Sequence, residues 1–144
     1  MATPVQADTT LTFRVERGGL VFEIEARSRE PGKPVGLARA FSLQLRYLSD
    51  GLRLSAHSDA GVADLERFGI DLQRFGAPGT LQCDLRCVNG GIRLHRPVAS
   101  ASAVLDIECG DRSNPTQVRM QGVAVTPADI LRLQAWCSDL TRRC

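Results

Sequence analysis

The feature that most constrains this chain is the strict alternation of apolar and polar residues in segments separated by glycine-containing turns. It begins at Leu11, Phe13 and Val15, between which polar residues stand. A period of two places successive side chains on opposite faces of a β-strand. The same period returns in the segments 20–27, 41–47, 52–56, 81–87 and 92–94. The chain is therefore predicted to be mainly β, with sheets that are apolar on one face.

Three short turns join these segments in pairs. They are Arg17-Gly18-Gly19, Ser49-Asp50-Gly51 and Asn89-Gly90-Gly91. Glycine, asparagine and aspartate adopt the positive φ angles that tight hairpins require, so the turns predict three antiparallel hairpins. The second and third hairpins resemble each other in sequence. Either a faint internal repeat or turn chemistry alone accounts for that similarity.

Two segments are predicted to be helical. The segment from Thr126 begins with a capping hydroxyl, a proline at the first helical position and a carboxylate in the first turn. Its apolar residues then recur on one face. A second helix is predicted from about Ala60 to Phe75, with Ser58 as its N-cap and Gly76 as its C-cap.

Length and element order together predict the architecture. A chain of 144 residues suits one compact domain. We predict a flexible tail over residues 1–8 and a single β-rich globular domain over 9–144. The fold class is mainly β (α+β): an antiparallel β-barrel or sandwich of about eight strands, with an amphipathic C-terminal helix and a mid-chain helix. The order is four strands, a helix, four strands and a helix.

Charge and targeting features indicate a soluble bacterial cytoplasmic protein. The formal net charge of +2 is too small to indicate a nucleic-acid or membrane partner. The N-terminus lacks the basic and apolar regions of a secretory signal. The five cysteines are an odd number, which does not suggest a disulfide framework.

The cysteines are interpreted as core residues and not as metal ligands. Cys83 and Cys87 share a strand face about 13 Å apart. That separation is too great for one zinc ion, whose bonds to sulfur are about 2.3 Å long. Cys83 also lies among leucines, as buried cysteines that act as small hydrophobes do. No metal and no cofactor are predicted.

Catalytic constellations are weak in this sequence. His57, Ser58 and Asp59 are of the residue types of a catalytic triad, but neighbours on a strand point in opposite directions. The paired acids Glu23/Glu25 and Asp106/Glu108 suit acid–base chemistry or a divalent cation. They equally suit the solvated face of a sheet, opposite arginines on adjacent strands, which is the interpretation favoured here. No enzyme activity and no catalytic residue are predicted.

The repeated order of four strands and a helix resembles the Whirly and PUR-type folds that bind single-stranded nucleic acid. The resemblance is topological and covers the whole chain. It implies a basic sheet surface with aromatic stacking platforms. Here, however, the outward arginines alternate with acids, aromatic residues make up only 5% of the chain, and most of them fall on the apolar faces.

A local resemblance concerns PilZ domains. Residues 48–54 and 89–94 resemble the serine/glycine hairpin of that family, and residues 122–136 resemble its last strand and helix. The resemblance implies a small barrel and a regulatory role. Tyr47 stands where the family's ligand-binding aspartate would be, and no R-x-x-x-R stretch precedes it. A degenerate relative that acts through protein contacts is therefore what the resemblance implies.

These observations predict a non-enzymatic binding or adaptor module that meets a protein partner through strand edges or outer helix faces. The alternative is a single-stranded nucleic-acid-binding protein of Whirly/PUR-like topology. A homodimer is a further alternative, and no membrane partner is expected. The predicted partner-binding surface comprises Arg46, Arg53, Arg86, Arg93, His95 and Arg96.

Overall fold

The computed structural model describes residues 10–35, 37–75, 82–87, 90–96, 103–111 and 114–141, and their side chains except those of 17, 107–111 and 114–122. The described strands are β1 (Thr10–Arg17), β2 (Leu20–Ser28), β3 (Ala40–Ser49), β4 (Leu52–Gly61), β5 (Gln82–Cys87), β6 (Gly90–His95), β7 (Ala103–Asp111) and β8 (Asn114–Val125). The described helices are α1 (Val62–Arg74) and α2 (Pro127–Thr141).

The first sheet contains β1 to β4 in sequential antiparallel order. Its hairpin turns have the positive φ angles that the sequence predicts: 59° and 83° at Gly18 and Gly19, and 45° and 81° at Asp50 and Gly51. These angles let a two-residue turn follow the right-handed twist of its strands. One face of this sheet is buried and the other carries charged side chains, because the residues alternate along every strand.

The second sheet contains β5 to β8 in the same sequential order. The strands β5 and β6 form the third predicted hairpin, in which Arg86 is paired with Gly91. A β-carbon at Gly91 would lie 2.8 Å from the carbonyl oxygen of Leu85, so only glycine fits there without movement of the backbone. The three hairpins are thus confirmed, although Asn89 lies outside the described residues.

The sheets meet where β4 packs against β5, β7 and β8. The fully buried residues of β4 all have small side chains: Ala56, Ser58 and Ala60. Small side chains allow the backbones of two sheets to approach closely. Large apolar residues from both sheets and both helices fill the rest of a continuous core.

Helix α2 is fixed at its start and along its length. The backbone N–H of Asp129 donates to Thr126 Oγ1 (3.2 Å), and the N–H of Thr126 donates to Asp129 Oδ2 (2.9 Å). This reciprocal pair satisfies two backbone donors that a helix start would otherwise leave free. The indole N–H of Trp136 donates to the carbonyl oxygen of Leu11 (3.1 Å), and Arg132 donates to that of Arg14 (2.7 Å). Side chains of α2 therefore cover the edge strand β1.

The two halves of the chain contact each other reciprocally. Helix α1 packs against β5, the first strand of the second half, and α2 packs against β1, the first strand of the first half. The helices also share a sequence pattern: Leu65, Phe68, Asp71 and Leu72 recur in α2, at a constant offset, as Leu133, Trp136, Asp139 and Leu140. The chain thus contains two ββββα units, and the helix of each packs against the first strand of the other.

The predictions of an α+β chain, antiparallel sheets, a mid-chain helix and a C-terminal helix are confirmed. In the described strands the sheets are open, so the barrel suggested by the sequence and by the PilZ resemblance does not close. The edge strand β1 lies against α2, which leaves it no strand partner on that side. The sequence similarity between the second and third predicted hairpins relates β3–β4 to β5–β6. The structural repeat instead matches β5–β6 with β1–β2.

The predicted N-cap of the mid-chain helix was wrong. Ser58 lies in β4 and is buried, and the helix starts after Gly61 without a side-chain cap. The reason is that the alternation of β4 continues through Ala60, so the strand is longer than predicted. The predicted tail at 1–8 and the predicted C-cap Gly76 lie outside the described residues.

Candidate protein-binding surface

The exposed face of the first sheet carries a network of ion pairs. Glu23 lies between Arg14 (3.2 Å) and Arg46 (3.7 Å) on the neighbouring strands. Glu25 contacts Arg27 (2.9 Å) and Arg46 (3.9 Å). The expectation that Glu23 and Glu25 face arginines on adjacent strands is therefore confirmed. These carboxylates already have cationic partners, which is the arrangement of a solvated sheet face.

The end of this sheet near the hairpin turns exposes apolar side chains. Leu48 is 38% exposed and Leu52 is 55% exposed. Arg53 pairs with Leu48 across the strands and makes no ion pair within the described residues. We call Leu48 and Leu52 the sheet tip. It is small, because it consists of a single hairpin end.

The exposed face of the second sheet carries two further polar pairs. Arg93 Nε donates to Asp84 Oδ1 at 2.8 Å. Burial alone would raise the pKa of Asp84, but hydrogen bonds from Arg93 and Gln82 hold this pKa below its ordinary value. The second pair joins His95 Nε2 to Asp106 Oδ2 at 2.6 Å. It forms because the two residues are diagonal neighbours on adjacent strands, where side chains of this length meet.

The sequence missed the His95–Asp106 pair, because strand pairing across 11 positions has no local signal. His95 shares with Arg93 the face of β6 opposite the buried Ile92 and Leu94. His57 and Asp59 lie on the opposite face of β4 from the buried Ser58, as expected for neighbours on a strand. The side chain of Glu108 lies outside the described residues.

The six residues of the predicted binding surface are divided between the two sheets. Arg46 and Arg53 lie on the first sheet, and Arg86, Arg93 and His95 lie on the second. Arg96 follows β6, with its guanidinium 5.2 Å from the centre of the Phe75 ring. Arg46, Arg93 and His95 have acidic partners, whereas Arg86 has no ion pair within the described residues. The structure therefore describes two separate polar faces at these positions.

Two of the cysteines lie deep in the core. Cys83 and Cys137 are each 1% exposed. Burial raises the pKa of each thiol to about 12, which leaves almost no reactive thiolate at neutral pH. In the described part of the chain, no three His, Cys, Asp or Glu side chains gather closely enough to hold a metal ion. Cys109 and Cys144 are not described at side-chain level.

A groove runs between the outer faces of α1 and α2. Its volume is about 540 Å³. The lining residues from α1 are Glu66, Gly69, Ile70 and Gln73, and those from α2 are Leu131, Gln134, Ala135, Cys137, Ser138 and Thr141. Only one of these ten residues, Glu66, is charged. Low charge density distinguishes the centre of a protein–protein interface from the rest of a protein surface.

The groove exists because the helices approach closely at its floor. Gly69 has no side chain, and a β-carbon there would lie 3.4 Å from the β-carbon of Cys137. The flanks are formed by larger side chains, of which Ile70 is 51% exposed and Leu131 is 66% exposed. We call this feature, defined by the ten residues above, the helical groove. It is concave and apolar at its rims, unlike either sheet face.

The positions that form the helical groove follow the internal repeat. Glu66, Gly69, Ile70 and Gln73 correspond to Gln134, Cys137, Ser138 and Thr141 at the offset that relates the two helices. The apolar pattern of each helix predicts its buried face alone, so this feature was not predicted from the sequence. The signal that could have found it is the pair of matching helical patterns, together with Ile70 and Leu131 lying off their apolar faces.

Comparison of the chain with protein-family models, with curated proteins and with solved structures finds no match. Within the described residues, neither helix has the length and apolar character needed to cross a bilayer.

Proposed function

We propose that this protein is a non-enzymatic binding module of a bacterial cytoplasm and that it contacts a partner protein through the helical groove. The observation that carries this proposal is the exposure of Ile70 and Leu131 on the rims of a concave surface with a single charge. Full burial of such a side chain is worth about 1.5–3 kcal/mol. Because Ile70 is 51% and Leu131 is 66% exposed, about half of that free energy is still to be gained at each. A partner that covers them gains that free energy.

The polar faces support a role without catalysis. Catalytic carboxylates and histidines need access to a reacting atom inside a cleft. Here Glu23 and Glu25 are engaged by arginines, and Asp84 is engaged by Arg93. These groups lie on open sheet faces. A binding module needs only that such faces keep it soluble and that one surface remains available.

The test compares two matched pairs of substitutions in the full chain. Ile70→Gln with Leu131→Gln changes the helical groove, and Leu48→Gln with Leu52→Gln changes the sheet tip. All four positions are exposed, so both double variants should keep the fold, which circular dichroism checks. The unchanged chain and the two double variants are each immobilised and incubated with extract from the source organism. The retained proteins are quantified by mass spectrometry.

The proposal predicts that at least one extract protein is retained by both the unchanged chain and the sheet-tip variant. The groove variant should retain at least tenfold less of that protein. Purification of that protein and titration against each variant then gives the dissociation constants directly. The proposal would be contradicted if the unchanged chain and both double variants retained every extract protein equally.

The second candidate function is binding of single-stranded nucleic acid. The observation that favours it is the repeated ββββα order, with Arg53 and Arg86 making no ion pair among the residues that the structure describes. Against it, Phe13, Phe22 and Phe41 are buried and unavailable for stacking. Anisotropy of a labelled single strand in low salt tests this candidate. Nucleic-acid binding would be supported if the affinity fell steeply with salt concentration and if the Arg53→Ala/Arg86→Ala variant no longer bound the strand.

A narrower form of the main proposal is a PilZ-like regulator that acts through protein contacts. The hairpin at 48–54 and the β8–α2 segment are the features that support it. Melting temperatures measured with and without cyclic di-GMP test for retained ligand binding, since a bound ligand stabilises the folded state. An unchanged melting temperature agrees with a role through protein contacts alone, and a rise would point to a conventional ligand-binding member.

A further inference from the structure

The helical groove is bordered on one side by unpaired positive charge. Arg67 and Arg74 lie three residues before and four residues after Ile70 on α1, so all three share one face of that helix. Both arginines are exposed, and neither makes an ion pair within the described residues. By contrast, Arg132 on α2 is already bonded to Asp129 and to the backbone of β1. The positive charge therefore borders the α1 side.

The size of the surface limits what can occupy it. Helices of 13 and 15 residues are about 20 Å long. Two helices lying 8–10 Å apart present a face of roughly 400 Å². A stable complex of two folded proteins covers about 800 Å² on each partner. The face is thus small for a second copy of this chain, but it matches a single helix of about 14 residues laid along the groove.

The lining side chains suit such a helix. Ridges on a helix repeat at spacings of three and four residues and fit the groove between two other helices. The positions Ile70 and Gln73 on α1, and Leu131, Gln134 and Ser138 on α2, follow the same spacings. An occupant with apolar residues at i, i+3, i+4 and i+7 would therefore pack between these two rows.

From these observations we infer that the partner presents an amphipathic α-helix whose apolar face enters the helical groove and whose acidic flank lies along Arg67 and Arg74. This inference rests on the proposed function and names the chemistry of the partner. Glutamates on the flank nearest α1 would approach the two guanidinium groups. Charge pairs at the border of an interface set the orientation of the partner and its association rate more than its affinity.

The experiment is a selection from a display library of 16-residue peptides designed to be helical. Apolar residues occupy i, i+3, i+4 and i+7, and the flanking positions encode Glu, Gln or Lys. The target is the full chain, and a parallel selection uses the Arg67→Glu/Arg74→Glu variant. Selected peptides are then synthesised and titrated against the Ile70→Gln/Leu131→Gln variant and the Leu48→Gln/Leu52→Gln control.

The inference predicts glutamate on one flank of the peptides selected by the unchanged chain, and lysine on that flank after selection by the charge-reversed variant. It also predicts at least a tenfold loss of affinity in the groove variant and none in the control. Equal selection of Glu and Lys, binding that is indifferent to Ile70 and Leu131, or no bound peptide would overturn it.

Sedimentation of the full chain provides the second measurement. A dimer that dissociates on substitution of Ile70 and Leu131 would place a second copy in the groove and overturn the helix inference. If no peptide binds through the helical groove but an extract protein still does, only the inference about the helix is wrong. If neither the peptides nor any extract protein depends on the groove for binding, the proposed function is wrong as well.

Discussion

Gly69 of α1 lies directly against Cys137 of α2, with only 3.4 Å between the position of a β-carbon on the glycine and that of the cysteine. The two residues occupy equivalent positions in the matching helical patterns. The two helices therefore meet at equivalent positions of their shared pattern. This contact sets the separation of the helices and so the depth of the helical groove.

Enlarging Gly69 tests the importance of this contact. We expect Gly69→Ala to change the free energy of unfolding by less than about 1 kcal/mol, because better helix propensity offsets a tight but tolerable contact. Gly69→Leu should destabilise the protein by about 1–3 kcal/mol, because the longer side chain must push α1 from α2. Urea denaturation measures both. The exposed Gln73→Leu is the control, and a Gly69→Leu variant as stable as this control would contradict the account.

The cap of α2 should contribute measurably to stability. Thr126→Ala removes one of the two reciprocal bonds and should cost about 1 kcal/mol. Asp129→Ala should cost more, because the buried Asp129 also accepts from Arg132. The control is Asp64→Ala, an exposed acid in the first turn of α1, which has no side-chain cap bond. Thermal denaturation ranks the stabilities of the three variants. Equal losses of stability for Asp64→Ala and Asp129→Ala would refute the assignment of Asp129 to the cap of α2.

Much of the fold could be predicted from local patterns. Alternation and glycine turns located β1 to β6 and three hairpins, and the Thr126–Asp129 start located α2 to the residue. Each of these signals depends on neighbours within a few positions. The bounds of β4 were harder, because Ser58 suits both a helix cap and a buried strand position, and only packing against the second sheet decides between them.

The candidate site could not be predicted in the same way. The helical groove joins residues on α1 and α2 that are at least 58 positions apart, so no local period reports it. The sequence predicts a binding surface of six polar residues on and near two hairpins. Strand pairing then gave Arg46 and Arg93 acidic partners, which a sequence pattern does not specify. Ile70 and Leu131 were the informative residues, being large apolar side chains off the buried helix faces.

The buried thiols give a pH dependence of known sign. The pKa values of Cys83 and Cys137 are raised to about 12 in the folded protein, whereas an unfolded thiol ionises near its ordinary value of 9.0. Above pH 9 the unfolded state therefore loses protons that the folded state keeps. The free energy of unfolding should fall with rising pH, by about 1 kcal/mol for each thiol between pH 9 and pH 10.

Urea denaturation at pH 7, 9 and 10 measures this dependence. The control is the Cys83→Ala/Cys137→Ala variant, which is less stable at every pH but lacks the contribution of these two thiols. The difference between the two proteins should therefore shrink as the pH rises. A difference that stays constant from pH 7 to pH 10 would show that these thiols are not buried in the folded state.

The central claim is that the helical groove binds a partner protein. Its most direct measurement is the dissociation constant of the purified partner, determined by titration against the unchanged chain, the Ile70→Gln/Leu131→Gln variant and the Leu48→Gln/Leu52→Gln variant. The account predicts binding at least tenfold weaker in the first variant and unchanged in the second. Equal constants for all three proteins, or weakening confined to the second variant, would contradict it.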